Sequence, residues 1–198
     1  MRITTLLAFL ASGVLLNCTP NCNNNPNLSR EKNPIDPTLY PKRHAFVSHL
    51  HELIDRSITY ESSYKNIDFP CGDVPEDIGV CADVVVRAFL KIDICLQQGV
   101  YKYRKSKGLS TDTNIDHRRV RNLGSYFGSN GWEINVSKDI VNEDIYEPGD
   151  IIWWKIGGAD HIGIVYTNGR VLHNMGWGQG VDIKPSVYPI HKVYRIQG

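Results

Sequence analysis

Residues 80–94 constrain the fold more than any other segment, because they are predicted to form a strongly apolar helix. The segment begins Cys81-Ala82-Asp83, continues with three valines in succession, and ends in a second apolar run after Arg87. Three consecutive β-branched residues are unfavourable in an exposed helix, but they pack well in a buried one. Val84, Val85, Ala88, Phe89 and Ile92 are expected to pack inward. We therefore predict that this helix is buried in a core against a sheet.

Short apolar runs in the second half of the chain predict that sheet. They cover residues 151–156, 161–167, 170–174 and 193–196. Asn168-Gly169 lies between the second and third runs and is a strong hairpin signal. Apolar residues at helical spacing predict further helices over residues 43–64 and near 118–129. Helices followed by a meander of strands indicate the α+β class with an antiparallel sheet.

The first 41 residues are predicted to lie outside this domain. Residues 1–17 combine Arg2 with a mostly apolar stretch that is short for a membrane span, which is typical of an export signal. Cys18 follows directly, as in bacterial lipoproteins that are cleaved before a cysteine and lipidated on it. Asn17 departs from the small residue usual there, and an ordinary secretory signal cleaved nearby is the alternative. Residues 18–41 are rich in Asn and Pro, which predicts a flexible tether leading to a domain over residues 42–198.

Charge and cysteine content exclude several classes of protein. Lys plus Arg number 22 and Asp plus Glu 21, a net charge of +1, whereas nucleic-acid-binding proteins usually carry a basic surplus. An exported protein meets an oxidising compartment, so disulfides are possible. We expect Cys71 to pair with Cys95, while Cys22 lies in the tether. The cysteines follow neither a C-x-x-C nor a zinc-ribbon spacing.

Cys81 and two histidines supply the parts of a thiol hydrolase. A helix start lowers the pKa of a thiol, because free N–H groups and the helix dipole favour the thiolate. His161, at the start of a predicted strand, could take the proton and later return it to a leaving group. His173, in the next strand, could orient that base. A turn centred between residues 168 and 169 pairs residue 164 with 173, which leaves the two histidines offset diagonally.

Several motifs resemble those of the bacterial family known as domain of unknown function 1287. They are residues 72–88, Asn114-Ile-Asp-His-Arg-Arg-Val, Pro148-Gly-Asp-Ile-Ile, His161-Ile-Gly-Ile-Val and Leu172-His-Asn. The resemblance covers roughly residues 45–197, and the family is similar to the NlpC-type cell-wall peptidases. That similarity implies a small papain-like fold that cleaves an amide in peptidoglycan stem peptides.

The same resemblance assigns roles to residues. It places the nucleophile on Cys81, the base on His161 and the orienting residue on His173, twelve positions later. One departure is Val80-Cys81-Ala82-Asp83, where the NlpC-type group usually carries Asp-Cys-Ser-Gly, so the residues around the substrate differ.

Substrate contacts are predicted at five positions. Guanidinium groups suit bidentate carboxylate recognition, so Arg118 and Arg119 are candidates for binding a stem-peptide carboxylate. Asp73, Asn174 and Trp177 are the other candidates. The expected partners are peptidoglycan stem peptides and, through lipid on Cys18, a membrane of the bacterial envelope, on the outer membrane or the periplasmic face. No nucleic acid, metal or other cofactor is expected.

Two alternatives stay open from the sequence. The first is a cell-wall-binding lipoprotein that uses the same scaffold without catalysis. The second is a zinc site with Cys81, His161 and His173 as ligands and water in the fourth position.

Overall fold

The computed structural model describes residues 32–136 and 143–198. The helices of this part are α1 (Pro41–His49), α2 (Cys81–Leu90), α3 (Leu96–Ser106) and α4 (Val120–Ser129). The strands are β1 (Thr59–Tyr60), β2 (Ile78–Gly79), β3 (Glu133–Ile134), β4 (Ile151–Ile156), β5 (Ala159–Val165), β6 (Val171–Asn174), β7 (Gln179–Ile183) and β8 (Ile190–Tyr194). Short 3-10 helices occur at Leu50–Leu53, Asp116–Arg118, Glu143–Ile145 and Pro185–Val187. The predicted α+β class is confirmed.

Six strands form one antiparallel sheet in the order β3-β8-β4-β5-β6-β7. Strands β4, β5, β6 and β8 correspond to the four predicted runs, whereas β3 and β7 were not predicted. Strands β1 and β2 form a separate parallel pair in which Tyr60 lies opposite Gly79.

Helix α2 is the buried helix that the sequence predicted. Its three valines are at most 2% exposed, and it contacts β5 and β6. Asp83 caps the helix by accepting a hydrogen bond from the backbone N–H of Val80 at 2.7 Å. The helix ends at Leu90, four residues before its predicted end, and Asp93 beyond it takes a positive φ of 59°.

The long helix predicted over residues 43–64 is wrong beyond Leu53. Helix α1 ends at His49, one 3-10 turn follows, and Ile54 is extended. Asp55 then exchanges two backbone hydrogen bonds of 3.0 Å with Gln179 of β7. This pairing with a distant strand satisfies backbone groups that a continued helix would have used, so the tertiary contact overrides the local periodicity. Helix α3 was not predicted.

The connection between β5 and β6 is one residue longer than predicted. The backbone N–H of Tyr166 donates to the carbonyl oxygen of Arg170, so three residues form the loop. Ile164 therefore lies opposite Leu172, whereas the predicted register placed residue 164 opposite His173.

This difference of one residue decides which face of the sheet His173 occupies. Successive side chains of a strand alternate between faces, so a shift of one residue moves every side chain to the opposite face. In the predicted register His161 and His173 would lie on opposite faces. In the observed register they share a face, because His173 lies across from Gly163, two residues after His161.

The expected disulfide between Cys71 and Cys95 is present, with a Cα–Cα distance of 5.3 Å. It joins the loop before α2 to the residue that precedes α3. The predicted export signal, Cys18 and Cys22 lie outside the described residues. Residues 32–40 fall within the predicted tether, yet the side-chain amide of Asn33 donates to the carbonyl oxygen of His44 in α1. Among the described residues, no helix is long and apolar enough to cross a membrane.

Candidate active site

Strands β5 and β6 separate at one end of their hairpin, and this gap holds the candidate site. Strand β4 pairs with β5 from Ile151 opposite Ile164 to Ile156 opposite Ala159. Strand β6 pairs with β5 only near the loop, at residues 164–165. The first half of β5 therefore has a partner on one side only.

The start of α2 fills this gap. Cys81 is the first residue of the helix, and the backbone N–H of Ile162 in β5 donates to its sulfur. On the other side, the amide group of Asn174 in β6 donates to the carbonyl oxygen of Gly79 at 3.3 Å. Because these contacts fix the helix start to both strands, Cys81 is held beside the strand that carries His161.

Two further donors contact the Cys81 sulfur. One is the backbone N–H of Ala82, and the other is the hydroxyl of Tyr60. Tyr60 reaches the site because β1 lies beside β2, the strand that leads into α2. Sequence reasoning missed Tyr60, because its segment was assigned to the long first helix.

Three neighbouring strands supply a chain of polar side chains on one face of the sheet, here called the histidine relay. It consists of His161 in β5, His173 in β6 and Asp182 in β7. Nε2 of His161 lies 3.0 Å from Nδ1 of His173, and Nε2 of His173 lies 2.5 Å from Oδ1 of Asp182. Gly163 makes room for it, since a Cβ there would lie 3.0 Å from the Cβ of His173 and 2.9 Å from a backbone oxygen.

Asp182 is held as an ionised acceptor. Burial disfavours its charge, yet hydrogen bonds from His173, Trp177 and Arg56 outweigh burial and lower the pKa of Asp182 to about 2. Arg56 donates to Oδ2 at 2.8 Å and Trp177 donates to it at 3.1 Å. Asp182 was missed from the sequence because β7 was not predicted.

The ionised state of Asp182 fixes one hydrogen bond of the relay, and the neutral form of His173 fixes the other. A carboxylate only accepts, so His173 must carry a proton on Nε2, and a neutral His173 then accepts at Nδ1. With His173 neutral, His161 donates from Nε2, which leaves the lone pair of its Nδ1 as a proton acceptor. Trp154 stacks on the ring at 5.6 Å between centroids and helps to hold its orientation.

Burial keeps the Cys81 thiol and the His161 imidazole neutral at rest. Burial, with a smaller effect from His173 in its charged form, lowers the pKa of His161 to about 3. Burial, with a smaller effect from the charge of Asp83, raises the pKa of Cys81 to about 11 even though N–H donors oppose this rise. The predicted fall in the thiol pKa is therefore wrong, because the cost of burying the thiolate exceeds the benefit of the helix start.

A cleft of about 500 Å³ opens beside Cys81. It is lined by Tyr60, Ser62, Val80, Cys81, Ile115, Arg118, Arg119, Val120, Arg121, Asn122 and Asp160. The predicted substrate contacts Arg118 and Arg119 both lie here, but their surroundings differ.

Arg118 is occupied by contacts within the protein. Its side chain is 1% exposed, and it donates to both carboxylate oxygens of Asp83 at 2.9 and 3.0 Å. It also donates to the carbonyl oxygens of Glu61 and Ser63, which follow Tyr60. Arg118 therefore joins the segment that carries Tyr60 to the helix start that carries Cys81.

Comparison with known proteins identifies the family. The family described as "Domain of unknown function (DUF1287)" matches residues 47–196, a range that includes Cys81 and the whole relay. The chain belongs to this family. It is also 35% identical over 143 residues to the "Uncharacterized protein YijF" of Escherichia coli (strain K12), which covers 64% of this chain and 68% of the relative. The relation to NlpC-type peptidases stays a prediction.

The remaining predicted substrate contacts lie outside the lining of this cleft. Asp73 accepts a hydrogen bond of 2.6 Å from Arg87. Asn174 is fully buried at the helix start, whereas Trp177 is 56% exposed beside Asp182. Their roles in binding stay predictions.

The geometry does not favour the alternative of a zinc site. Within residues 32–136 and 143–198, no group of three or more His, Cys, Asp and Glu side chains is arranged to hold a metal ion. Nε2 of His161 and Nδ1 of His173 face each other at hydrogen-bond distance, so these nitrogens do not converge on a third point.

Proposed function

We propose that this protein is a cysteine hydrolase, a peptidase or amidase that cleaves an amide bond in peptidoglycan stem peptides. The observation that supports this proposal is the relay from Asp182 through His173 to His161. It leaves Nδ1 of His161 as a proton acceptor on β5, the strand that contacts Cys81. A papain-like arrangement of the NlpC type is part of the proposal, since it also combines a helix-start cysteine with a strand histidine.

The first half of the proposed reaction acylates the thiol. The sulfur of Cys81 attacks the carbonyl carbon of the substrate while its proton passes to Nδ1 of His161, which gives a tetrahedral oxyanion. The hydroxyl of Tyr60 and the backbone N–H groups at the helix start are suited to stabilise that oxyanion. His161 then gives the proton to the amide nitrogen, the C–N bond breaks, and the amine leaves with the acyl group held as a thioester.

The second half regenerates the enzyme. Water attacks the thioester carbonyl and gives a proton to His161. The C–S bond breaks, the thiol regains the proton, and a carboxylic acid is released. The imidazolium formed in each half is stabilised through His173 by the ionised Asp182, which itself keeps its charge throughout.

In this proposal the thiol and the imidazole are both neutral before substrate binds. A thiol with a pKa of about 11 and an imidazole with a pKa of about 3 do not form an ion pair before substrate arrives. The proton therefore moves during the attack, when the oxyanion and the imidazolium appear together and stabilise each other. General-base catalysis of this kind needs the acceptor lone pair that the relay supplies.

A cell-wall-binding protein without catalysis is the second candidate. The observation that favours it is the burial of Cys81, which is only 4% exposed. Both candidates share the proposed location, an exported protein that is anchored in the bacterial envelope by lipid on Cys18. A Cys18→Ala variant should leave the membrane fraction, and continued membrane association would contradict that anchor.

Incubation of the purified protein with peptidoglycan fragments tests the proposed activity. Mass spectrometry should detect shortened stem peptides with the natural protein and none with the Cys81→Ala variant. Identical binding of both proteins to peptidoglycan, with no cleavage by either, would favour the second candidate.

A further inference from the structure

We infer that Arg119 and Arg121 form a binding site for a free carboxylate of the substrate in the cleft beside Cys81. The sequence predicted Arg118 and Arg119 for this role. The site inferred from the structure keeps Arg119, adds Arg121 and leaves out Arg118. Its role in substrate choice rests on the proposed function, whereas the binding of a carboxylate does not.

Arg119 has unused hydrogen-bonding capacity. Its side chain is 59% exposed, and its ion pair is with Asp116, at 3.8 Å. Asp116 already has closer partners, namely Arg104 at 3.1 Å and the amide of Asn122. A guanidinium group carries five N–H donors, so Arg119 can bind an incoming anion without breaking a hydrogen bond of the folded protein.

Arg121 lies two residues further on in α4, and its side chain is 70% exposed. Its Nε donates to Asp160 at 2.6 Å, and this contact leaves the two terminal nitrogens of the guanidinium for a ligand. Asp160 also accepts hydrogen bonds from Trp153 and Lys155, so its single negative charge is shared among several donors.

The charge balance of the cleft favours an anion. Four of its lining residues are charged: Arg118, Arg119, Arg121 and Asp160. Asp83 neutralises the charge of Arg118 in a buried pair. Asp160 carries one negative charge, so it can neutralise only one of the two positive charges of Arg119 and Arg121. Since Cys81 lines the same cleft, an anion bound here would lie close to the reacting sulfur.

These features identify a substrate class. A guanidinium fork binds a planar carboxylate through two parallel hydrogen bonds. We therefore expect the substrate to be a peptide with a free carboxylate near its scissile amide, and amidation of that carboxylate to weaken its binding.

Alkylation of Cys81 by a charged and a neutral reagent tests the site without a substrate. Iodoacetate is an anion and iodoacetamide is its neutral counterpart, and each rate is divided by the rate with free cysteine. The ratio of the iodoacetate rate to the iodoacetamide rate should fall about three- to tenfold in Arg119→Gln and in Arg121→Gln, as expected for one charge a few ångströms away in a partly hydrated cleft.

Two control variants sharpen this experiment. Arg119→Lys keeps the charge and should keep most of the ratio. Lys107→Gln removes one positive charge from the exposed end of α3, outside the cleft lining, and should leave the ratio unchanged. Equal ratios in the natural protein and both glutamine variants would overturn the inference, even where Cys81 is reactive and the hydrolase proposal stands.

A binding measurement covers the case in which Cys81 reacts with neither reagent. The ¹⁵N signals of the arginine Nε groups are assigned with the two glutamine variants and titrated with acetyl-alanyl-alanine, its amide and inorganic phosphate. Shifts of Arg119 and Arg121 with the free acid alone support the carboxylate site. Equal shifts with acid and amide, a larger response to phosphate, or no response to the acid would overturn it.

Discussion

Two regions of the candidate site are built on opposite principles. On the sheet side, the relay of His161, His173 and Asp182 is closed, because each member bonds the next and Arg56 and Trp177 hold its far end. On the cleft side, Arg119 and Arg121 are largely exposed and keep unused donors. Under the proposed function, proton transfer is organised in the folded protein, whereas recognition is completed by the ligand.

The origin of each group explains this difference. The relay comes from three adjacent strands. Pairing of β5 with β4 holds His161, and pairing of β6 with β7 holds His173 and Asp182. The cleft arginines lie around the start of α4 on long side chains that reach into solvent. Rigid elements hold reacting groups more precisely than flexible side chains do.

The largest expected effect is on turnover when the reacting pair is removed. Cys81→Ala should lower turnover of peptidoglycan fragments by at least about 10⁴-fold, and His161→Ala nearly as much, because the residues act as one unit. The double variant should be no worse than Cys81→Ala alone. Circular dichroism controls for folding, and near-normal turnover in either single variant would refute the hydrolase.

The next largest effect is on the free energy of unfolding, and it should differ between Arg118 and Arg119. Arg118→Ala should lower the free energy of unfolding by about 3 kcal/mol or more, because it leaves Asp83 charged and buried. Arg119→Ala should change it by less than about 0.5 kcal/mol, because its ion pair is long and exposed. Urea denaturation measures both variants, and equal losses would show that Arg119 also belongs to the fixed part of the site.

Disruption of the far end of the relay should have an intermediate effect on turnover. Asp182→Asn presents a weaker acceptor to His173 and should lower turnover about 10- to 100-fold with little change in KM, since an orienting group tunes the base without forming bonds to substrate. His173→Asn or His173→Gln should retain more turnover than His173→Ala, since either amide still accepts a hydrogen bond from His161. A change in KM with no change in turnover would show that Asp182 and His173 contribute to substrate binding and not to the chemical step.

The smallest effect concerns stability in acid. Burial lowers the pKa of His161 to about 3 and that of His117, which precedes Arg118, to about 4. The unfolded chain therefore binds more protons than the folded one below about pH 6.5, so stability falls as the pH decreases from that value toward the folded pKa. Each of these two buried histidines should lower the free energy of unfolding by about 2 kcal/mol at about pH 5 relative to neutral pH.

Thermal denaturation from neutral to acid pH measures this dependence. His161→Gln and His117→Gln should each flatten it, and His51→Gln is the matched control because His51 is exposed. A profile that both buried substitutions leave unchanged would show that these rings accept protons without unfolding.

The local spacing of apolar residues predicted much of the fold. Of the candidate site, the sequence predicted Cys81, His161 and His173 but neither Tyr60 nor Asp182. The apolar run after Cys81 could only be a buried helix, and four strands followed from their apolar runs. Helix α3 and β7 were missed. Tyr60 was hidden in a segment with helical spacing, and its role depends on the pairing of β1 with β2, which is a contact between segments distant in sequence.

The sequence by itself determined a buried helix with Cys81 at its start, an antiparallel sheet, and two histidines on successive strands, because these follow from periodicity and from turn residues. Only the tertiary structure decided that both histidines share a face, that Asp182 completes the relay, and that Arg118 is fully paired within the protein while Arg119 keeps unused donors. The reason is physical. One extra residue in a loop reverses the face of a whole strand, and whether a charged side chain is paired or available depends on partners that lie tens of residues away in the chain.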